Sequence, residues 1–238
     1  MKPPEPDETR ISPLPTHVAI IMDGNARWAE QHHLSRLEGH RTGTENVRRT
    51  VETFADYGVK YLTLYAFSTE NWKRSEEEVR GLMQILNQVI GKEARALHEK
   101  DVRLRHLGRV DRLSSEVQEE IRDSIEMTKN NTRMTLSIAF DYGGRAEIVE
   151  AVRKIVDEGY SAEAIDESLL SQHLYSNGLP DPDLIIRTAG EMRLSNFLMW
   201  QSAYSELYFA AVPWPEFDEE EIRKALLAYS KRERKFGG

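Results

Sequence analysis

Cysteine is absent from this chain of 238 residues, which excludes disulfide stapling, a thiolate nucleophile and any zinc site built on Cys. Long hydrophobic runs are missing as well. Stretches such as Val18 to Met22 are a fraction of the ~20 apolar residues that a membrane span needs. The opening residues are polar and Pro-rich and do not read as a signal peptide, so the expected location is cytoplasmic. An excess of positive charge is lacking too: 32 Lys and Arg stand against 40 Asp and Glu, a formal net charge of −8. Generic nucleic-acid binding needs the opposite sign, and an anionic ligand would need a local basic pocket. Neither GxxxxGK[ST] nor a GxGxxG after a strand occurs, which removes the usual nucleotide fingerprints.

What is present is ordinary globular composition, 39% hydrophobic and 30% charged, at a length that suits one large domain. Residues 1–16 hold Pro3, Pro4, Pro6, Pro13 and Pro15 among charges and read as a flexible arm; 17–238 read as a single domain. From His17 onward, runs of strand length alternate with segments of helical period. Val18 to Met22, Tyr61 to Phe67, Val102 to Leu107, Met134 to Phe140, Leu184 to Ile186 and Leu207 to Phe209 read as strands. Between them lie helices on Val47, Val51, Phe54 and Ala55, on a long stripe from Val79 to Leu97, on Val117, Ile121 and Ile125, and on Ile148, Val149, Val152, Ile155 and Val156. Ser75 with Glu78, Ser115 with Gln118, and Asp218 with Glu221 mark helix starts, and Gly91 is a candidate kink. The alternation predicts an α/β fold with a central, mostly parallel sheet flanked by helices.

In such sheets ligands sit beyond the carboxyl ends of the strands. There the chain places Asp23-Gly-Asn-Ala-Arg-Trp28, Ser68-Thr-Glu-Asn-Trp-Lys-Arg74, Asp141-Tyr-Gly-Gly-Arg145 and Arg187-Thr-Ala-Gly-Glu-Met-Arg-Leu-Ser-Asn196. Arg27, Arg36, His40, Arg41, Arg74, Arg187 and Arg193 could gather as cations, and guanidinium forks with nearby backbone amides suit phosphate oxygens. Ser195 would open a helix through Trp200 whose dipole adds to that attraction. Asp23 and Glu206 are the carboxylates chosen for a hard cation such as Mg²⁺. Read blandly, each stretch is a turn or a solvated face; their convergence favours a phosphorylated ligand.

His17-Val-Ala-Ile-Ile-Met-Asp-Gly-Asn-Ala-Arg-Trp-Ala29, Gly39-His-Arg41, Tyr65 to Arg74, Phe140 to Arg145, Pro180 to Gln201 and Tyr204 to Phe209 resemble the cis-prenyltransferase family, most of all its bacterial undecaprenyl diphosphate synthases. The resemblance runs in motif order from His17 to the C-terminus. An Asp-Asp-x-x-Asp cluster, as in the all-helical trans-prenyltransferases, is absent. The resemblance implies a Mg²⁺-dependent homodimer that extends an allylic diphosphate, usually farnesyl diphosphate, with isopentenyl diphosphate. New double bonds are Z, and the product is a lipid carrier for cell-wall synthesis. It implies an elongated hydrophobic tunnel, for which the Val79 to Leu97 stripe with Leu136, Ile138 and Phe140 is the candidate wall. Release of a product this apolar implies transient contact with the inner face of the membrane.

By motif, the resemblance gives Asp23 the metal and the leading catalytic role, and gives Gly24, Asn25, Ala26, Arg27, Trp28, Arg36 and His40 the allylic diphosphate. Asn71 matches the family's proposed proton acceptor; a neutral amide is a poor base, so positioning with a diphosphate oxygen as acceptor is the preferred role. Ser68, Thr69, Glu70, Trp72 and Arg74 match the substrate side of a closing loop. Arg187, Arg193, Leu194 and Ser195 match the isopentenyl diphosphate site, and Glu206 a second metal contact. The chain departs from the pattern at Ala26 (commonly Gly), Ser75 (often Pro), Met192 (His in some relatives) and Lys235 (Arg in a common C-terminal Arg-Phe-Gly). Ala26 is tolerable only with a negative φ. Alternatives are a shorter-chain Z-prenyl diphosphate synthase, a non-catalytic subunit of a heterodimeric prenyltransferase, and a phosphate-ester hydrolase using Asp23.

Overall fold

The computed structural model describes residues 11–232. Six strands form one sheet: β1 (His17–Ile21), β2 (Tyr61–Ser68), β3 (Val102–Leu107), β4 (Met134–Tyr142), β5 (Leu184–Arg187) and β6 (Glu206–Phe209). Their order is β3-β4-β2-β1-β5-β6, and every pair is parallel. Parallel strands need both faces covered, which is why β1 and β5 are apolar at nearly every position. Val18, Ile20, Leu62, Leu64, Leu136, Leu184 and Ile186 point to one face; Ala19, Ile21, Tyr65, Ala139 and Ile185 point to the other.

The first face is covered by α2 (Arg36–Tyr57), α3 (Glu76–Glu99) and α7 (Glu219–Ser230), with α4 (Ser115–Thr128) at the β3 edge. The second is covered by residues around Tyr175, Leu194, Phe197 and Leu198, with α5 (Gly144–Asp157) and α6 (Glu167–His173) outside them. The chain leaves β1 toward β2 on one side and β5 toward β6 on the other. The carboxyl ends of β1 and β5 thus flank the point where strand order reverses, the usual place for a ligand crevice.

Local signals set most of the helix ends. Ser75 Oγ accepts from Glu78 N at 3.3 Å and Asp218 Oδ1 accepts from Glu221 N at 3.0 Å, as their spacing predicts. Glu78 does not reach back to complete a capping box; its carboxylate is taken by cations of the site. At α4 the cap is Ser114, which accepts from Val117 N, one residue before the expected Ser115. The kink considered at Gly91 does not interrupt α3.

Four expectations are corrected. Residues 11–16 are not a loose extension: Ile11 and Leu14 pack on the core, Pro15 is buried, and Thr16 N donates to Asp183 Oδ2 at 2.8 Å. Apolar side chains between the prolines give that segment something to bury. A short helix α1 (Asn25–Gln31) follows Gly24, and α6 precedes β5; neither was expected. No helix opens at Ser195, because Ser195, Asn196 and Leu198 adopt φ of 49°, 66° and 44°, a left-handed path that cannot propagate. On α5, Val149, Val152 and Val156 face outward instead of into the core, with Val156 62% exposed. Lys235 lies outside the described residues.

Candidate active site

Asp23 sits two residues beyond β1, held by the chain opposite. Thr188, fully buried just after β5, accepts from Asp23 N at 2.9 Å and donates to Asp23 O at 2.6 Å. Gly24 follows with φ of 104°, and a Cβ there would stand 2.8 Å from both Ala189 Cβ and Pro213 Cβ. Only glycine permits this turn and this closeness together. Ala26 lies within α1, in helical backbone that suits an L residue, so its departure from glycine is harmless.

Arg187, at the last position of β5, is 5% exposed at its side chain and donates to Asp23 Oδ2 at 2.8 Å. Its other terminal nitrogen donates to Ser195 Oγ at 2.7 Å and to the Arg193 carbonyl at 2.5 Å. Arg27 donates to the Ala189 carbonyl at 2.9 Å and lies 3.8 Å from Asp23 and 3.4 Å from Glu191. Glu191 also pairs with Arg193.

Two arginines and a histidine face these around Glu78, from α2 and the start of α3. Glu78 collects Arg74 at 2.7 Å, Arg36 at 3.7 Å and His40 at 3.8 Å. Burial, then the charges of Arg74 and Arg36, lower the His40 pKa to about 4 against the opposing pull of Glu78, so its imidazole is neutral at pH 7. Asn25 Oδ1, His40 Nε2 and Arg187 Nε are buried and find no hydrogen-bond partner among the described residues. Buried polar atoms left this way normally meet a ligand or water.

Between the groups, a short 3-10 helix (Thr69–Lys73) follows β2. Asn71 Oδ1 accepts from Ser68 N at 2.9 Å, so its carbonyl oxygen is already engaged. Trp72 Nε1 donates to buried Asp141 at 2.7 Å, and Arg112 lies 5.9 Å over the indole. Burial pulls the Glu70 carboxyl upward, but hydrogen bonds from Asn196, its own backbone, Thr69 and Ser68 outweigh this and hold it below the usual carboxylate value.

These residues enclose a polar mouth of about 610 Å³ to which Asp23, Asn25, His40, Ser68, Glu70, Asn71, Arg74, Arg187, Arg193 and Ser195 all contribute. Gly24, Ala26, Arg27, Trp28, Arg36, Thr69, Trp72 and Leu194 stand around it rather than on its wall. Trp28 stacks on His32 with centroids 4.2 Å apart, and Leu194 packs on the second-face core. Below the mouth lies an apolar cavity of about 230 Å³ between α2, α3, α4 and the sheet, reaching from Leu82 to Leu97. Those residues are about 22 Å apart along α3 at 1.5 Å per residue. Leu136, Ile138 and Phe140 form its wall as expected. Mouth and cavity share Met22, Asn25, His40, Ala66, Phe67 and Leu82, so one opens onto the other.

Glu206 is not brought to Asp23 within the chain. It begins β6 level with Leu184, whereas Asp23 meets Arg187, level with Phe209. Three strand residues separate those levels, roughly 10 Å along the sheet. Glu206 pairs instead with Arg232. Met192 is 76% exposed, so it replaces no buried contact. Thr188, Glu191, Asp141 and Asn196 belong to the site and lay within the strand-end stretches, but no role was given to them there; the Ser75 and Glu78 pairing pointed to a cap rather than to a counter-ion.

Mg²⁺ fits this donor set. Among the described residues no three His, Asp or Glu side chains gather as a metal cage, but Mg²⁺ commonly takes one or two carboxylates and completes its shell with phosphate oxygens and water. Asp23, with its side chain 29% exposed at the mouth, can offer that carboxylate.

A family model described as "Putative undecaprenyl diphosphate synthase" matches residues 21–237. The isoprenyl transferase of Thermotoga maritima is 52% identical over 228 residues, spanning 94% of this chain and 97% of that relative. That of Fusobacterium nucleatum is 51% identical over 225 residues, spanning 94% and 96%. Among solved structures, lavandulyl diphosphate synthase from Lavandula x intermedia in complex with dimethylallyl diphosphate superposes with a TM-score of 0.91 at 37% identity, covering 94% of this chain and 99% of that one. A "probable undecaprenyl diphosphate synthase" from Campylobacter jejuni does so with a TM-score of 0.79 at 31% identity and the same coverage. With its Asp23 and Arg187 junction at the sheet's switch point and its hollow beneath, the chain belongs to the undecaprenyl diphosphate synthase family of isoprenyl transferases.

Proposed function

We propose that the chain is a Mg²⁺-dependent cis-prenyltransferase that condenses isopentenyl diphosphate with an allylic diphosphate, farnesyl diphosphate in the first instance. Its product is a long-chain Z-polyprenyl diphosphate of the undecaprenyl kind, a lipid carrier for cell-wall synthesis. The carrying observation is the continuity of the cationic mouth with the apolar cavity. A ligand with a charged head and a growing hydrocarbon tail needs both, in this order.

In this reading Gly24 to Arg27 and His40 hold the allylic diphosphate, with Arg36 and Arg74 nearby. Arg187, Arg193 and Ser195 hold the isopentenyl diphosphate. When the allylic C–O bond breaks, negative charge grows on oxygens already faced by fixed cations, which costs little reorganisation. Mg²⁺ held by Asp23 would add charge neutralisation at the same oxygens. The isopentenyl double bond attacks the allylic carbon and a proton leaves the adjacent carbon. Asn71 orients that carbon, since its engaged amide oxygen is no base, and a diphosphate oxygen takes the proton. The apolar cavity keeps water from the cation and receives each added unit, worth up to roughly 4 kcal/mol of transfer from water at ~0.8 kcal/mol per CH₂. Departure of so apolar a tail calls for transient contact with a membrane at its inner face; no helix among the described residues is long and apolar enough to cross one.

A second copy of the chain is the proposed partner. The exposed row Val149, Val152 and Val156 along α5 supports it, because solvated apolar rows on one helix face mark contact surfaces. Incubation with farnesyl diphosphate, labelled isopentenyl diphosphate and Mg²⁺, with chromatography of the dephosphorylated lipids, tests the reading. A ladder of prenyl alcohols supports it; label remaining in isopentenol, with phosphate released from simple esters, points to the hydrolase reading instead.

A further inference from the structure

Asn196 follows Ser195 in the chain and bonds both the start of α5 and the segment after β2. Its neighbour Ser195 receives Arg187, which in turn meets Asp23. Its backbone carbonyl accepts from Gly144 N at 2.8 Å, and its Oδ1 accepts from Arg145 N at 2.9 Å. These two bonds supply the cap that α5 lacks, since Gly143 has no side chain to give. The remaining group, Nδ2, donates to Glu70 Oε1 at 2.9 Å on the 3-10 helix that carries Asn71 and ends just before Arg74. The fit is close: a Cβ on Gly143 would come within 2.9 Å of Asn196 Nδ2 and 2.6 Å of Thr69 Oγ1.

The chemistry of the partners fixes what this side chain must be. The Arg145 amide requires an acceptor and the Glu70 carboxylate requires a donor, and an amide offers both from one short side chain. The left-handed φ of 66° is also one that asparagine tolerates better than most residues. We infer that Asn196 is a positioning residue that couples the Arg187 and Ser195 half of the site to the segment bearing Asn71, through its bond to Glu70. This rests on the function proposed above and extends it to a residue on the wall of the mouth that is not one of the proposed diphosphate grips. Its work is orientation: the diphosphate grips stay in place without it, but the reacting carbon loses its fixed distance from them. Such a loss falls on kcat rather than on KM.

Asn196→Asp keeps the acceptor for Arg145 N and sets a second carboxylate against Glu70. Glu70→Gln in that background restores a donor facing an acceptor, with the direction of the bond reversed. Glu70→Gln alone still accepts from Asn196. The test measures kcat, KM for isopentenyl diphosphate, and hydrogen exchange of the 68–74 backbone amides in all four chains. The expected result is a kcat for N196D lower by about tenfold or more with KM within about threefold of the unaltered chain. Exchange of 68–74 accelerates in N196D, and both properties in N196D/E70Q return to the level of E70Q alone. The inference is overturned by an N196D chain with unchanged exchange or unchanged kcat, by a double variant no better than N196D, or by an N196D chain that does not fold, which would place Asn196 in the fold itself. If the unaltered chain makes no prenyl product, the proposed function fails while the exchange measurement still decides the coupling.

Discussion

Arg187 and Asp23, 164 residues apart in sequence, meet at 2.8 Å across the carboxyl ends of β5 and β1. The pair ties the proposed isopentenyl half of the site to the proposed allylic half, and it orients Asp23 without blocking it, since Asp23 keeps a second oxygen toward the mouth. Asp23→Asn retains an oxygen for Arg187 and should leave the fold intact. It removes the charge that would hold the metal, so product formation should fall by about 10³-fold, the scale of losing a central electrostatic group. The check is kcat with farnesyl and isopentenyl diphosphates beside a thermal melt. Arg187→Lys should fail as well, because one ammonium cannot reach Asp23, Ser195 and the Arg193 carbonyl together.

His40 should take up a proton when diphosphate binds. In the free chain burial, with Arg74 and Arg36, lowers its pKa to about 4. A polyanion beside Nε2 favours the imidazolium and raises that value. Binding is then linked to proton uptake, and affinity should strengthen as pH falls from 7 toward 5. Titration calorimetry with inorganic diphosphate in buffers of different ionisation heat reads the uptake. Diphosphate's own titration is common to all chains, so the difference between the unaltered protein and His40→Asn is the His40 contribution; equal uptake in both would remove His40 from the diphosphate cradle.

The strands were legible because a parallel sheet buries both faces and leaves short apolar runs such as His17–Ile21 and Leu184–Arg187. Asp218 and Ser75 announced their helices through side chains that bond the backbone locally. By contrast α1 starts from Gly24 with no side-chain cap, and its seven residues are too few for a period to show. Asn196-Phe-Leu-Met-Trp200 looks like a helix start, yet Phe197 and Leu198 are buried in the second-face core by a path of positive φ that no local pattern records. The cationic residues of the mouth were named from their positions after strands. Their carboxylate partners Glu78 and Glu191 were not, because pairing across elements depends on packing. The distance of Glu206 from Asp23 within the chain was not legible for a related reason: motif order says nothing about which end of a strand a residue occupies, and strand register decides that.

His17 should make the fold acid-sensitive. It is 2% exposed, with Nδ1 at 2.7 Å from the Pro180 carbonyl and Nε2 at 2.8 Å from Thr63 Oγ1. A carbonyl only accepts, so Nδ1 carries the proton and Nε2 accepts from the threonine. Burial lowers the pKa to about 4 from an ordinary 6.5. The folded chain therefore protonates at lower pH than the unfolded one: the stability from neutral His17 is present above pH 6.5 and is lost as pH falls toward 4. Between pH 7.5 and 5.5 the loss should be on the order of 1 kcal/mol. Urea unfolding at the two pH values measures it, and His17→Gln should lack that part of the slope.

Ala94 should govern product length. It lies on α3, 2% exposed, against the lower cavity, and is 12 residues beyond Leu82, or about 18 Å deeper along the helix. Ala94→Phe fills the space into which a growing tail must pass, so products should shift to shorter chains while the first condensation keeps its rate, because the mouth is untouched. Beside it, Glu93 receives Arg48 through two bonds of 2.8 and 3.0 Å and clamps α3 to α2 at the cavity's flank. An exposed pair of this kind adds under about 1 kcal/mol to stability, yet it resists the spreading of two helices. Arg48→Ala added to A94F should therefore recover part of the lost length by letting α3 move outward. Chromatography of the prenyl alcohols from the three chains decides the matter: unchanged length in A94F would mean the tail runs elsewhere, and no recovery in the double variant would mean the wall is set by α3 alone.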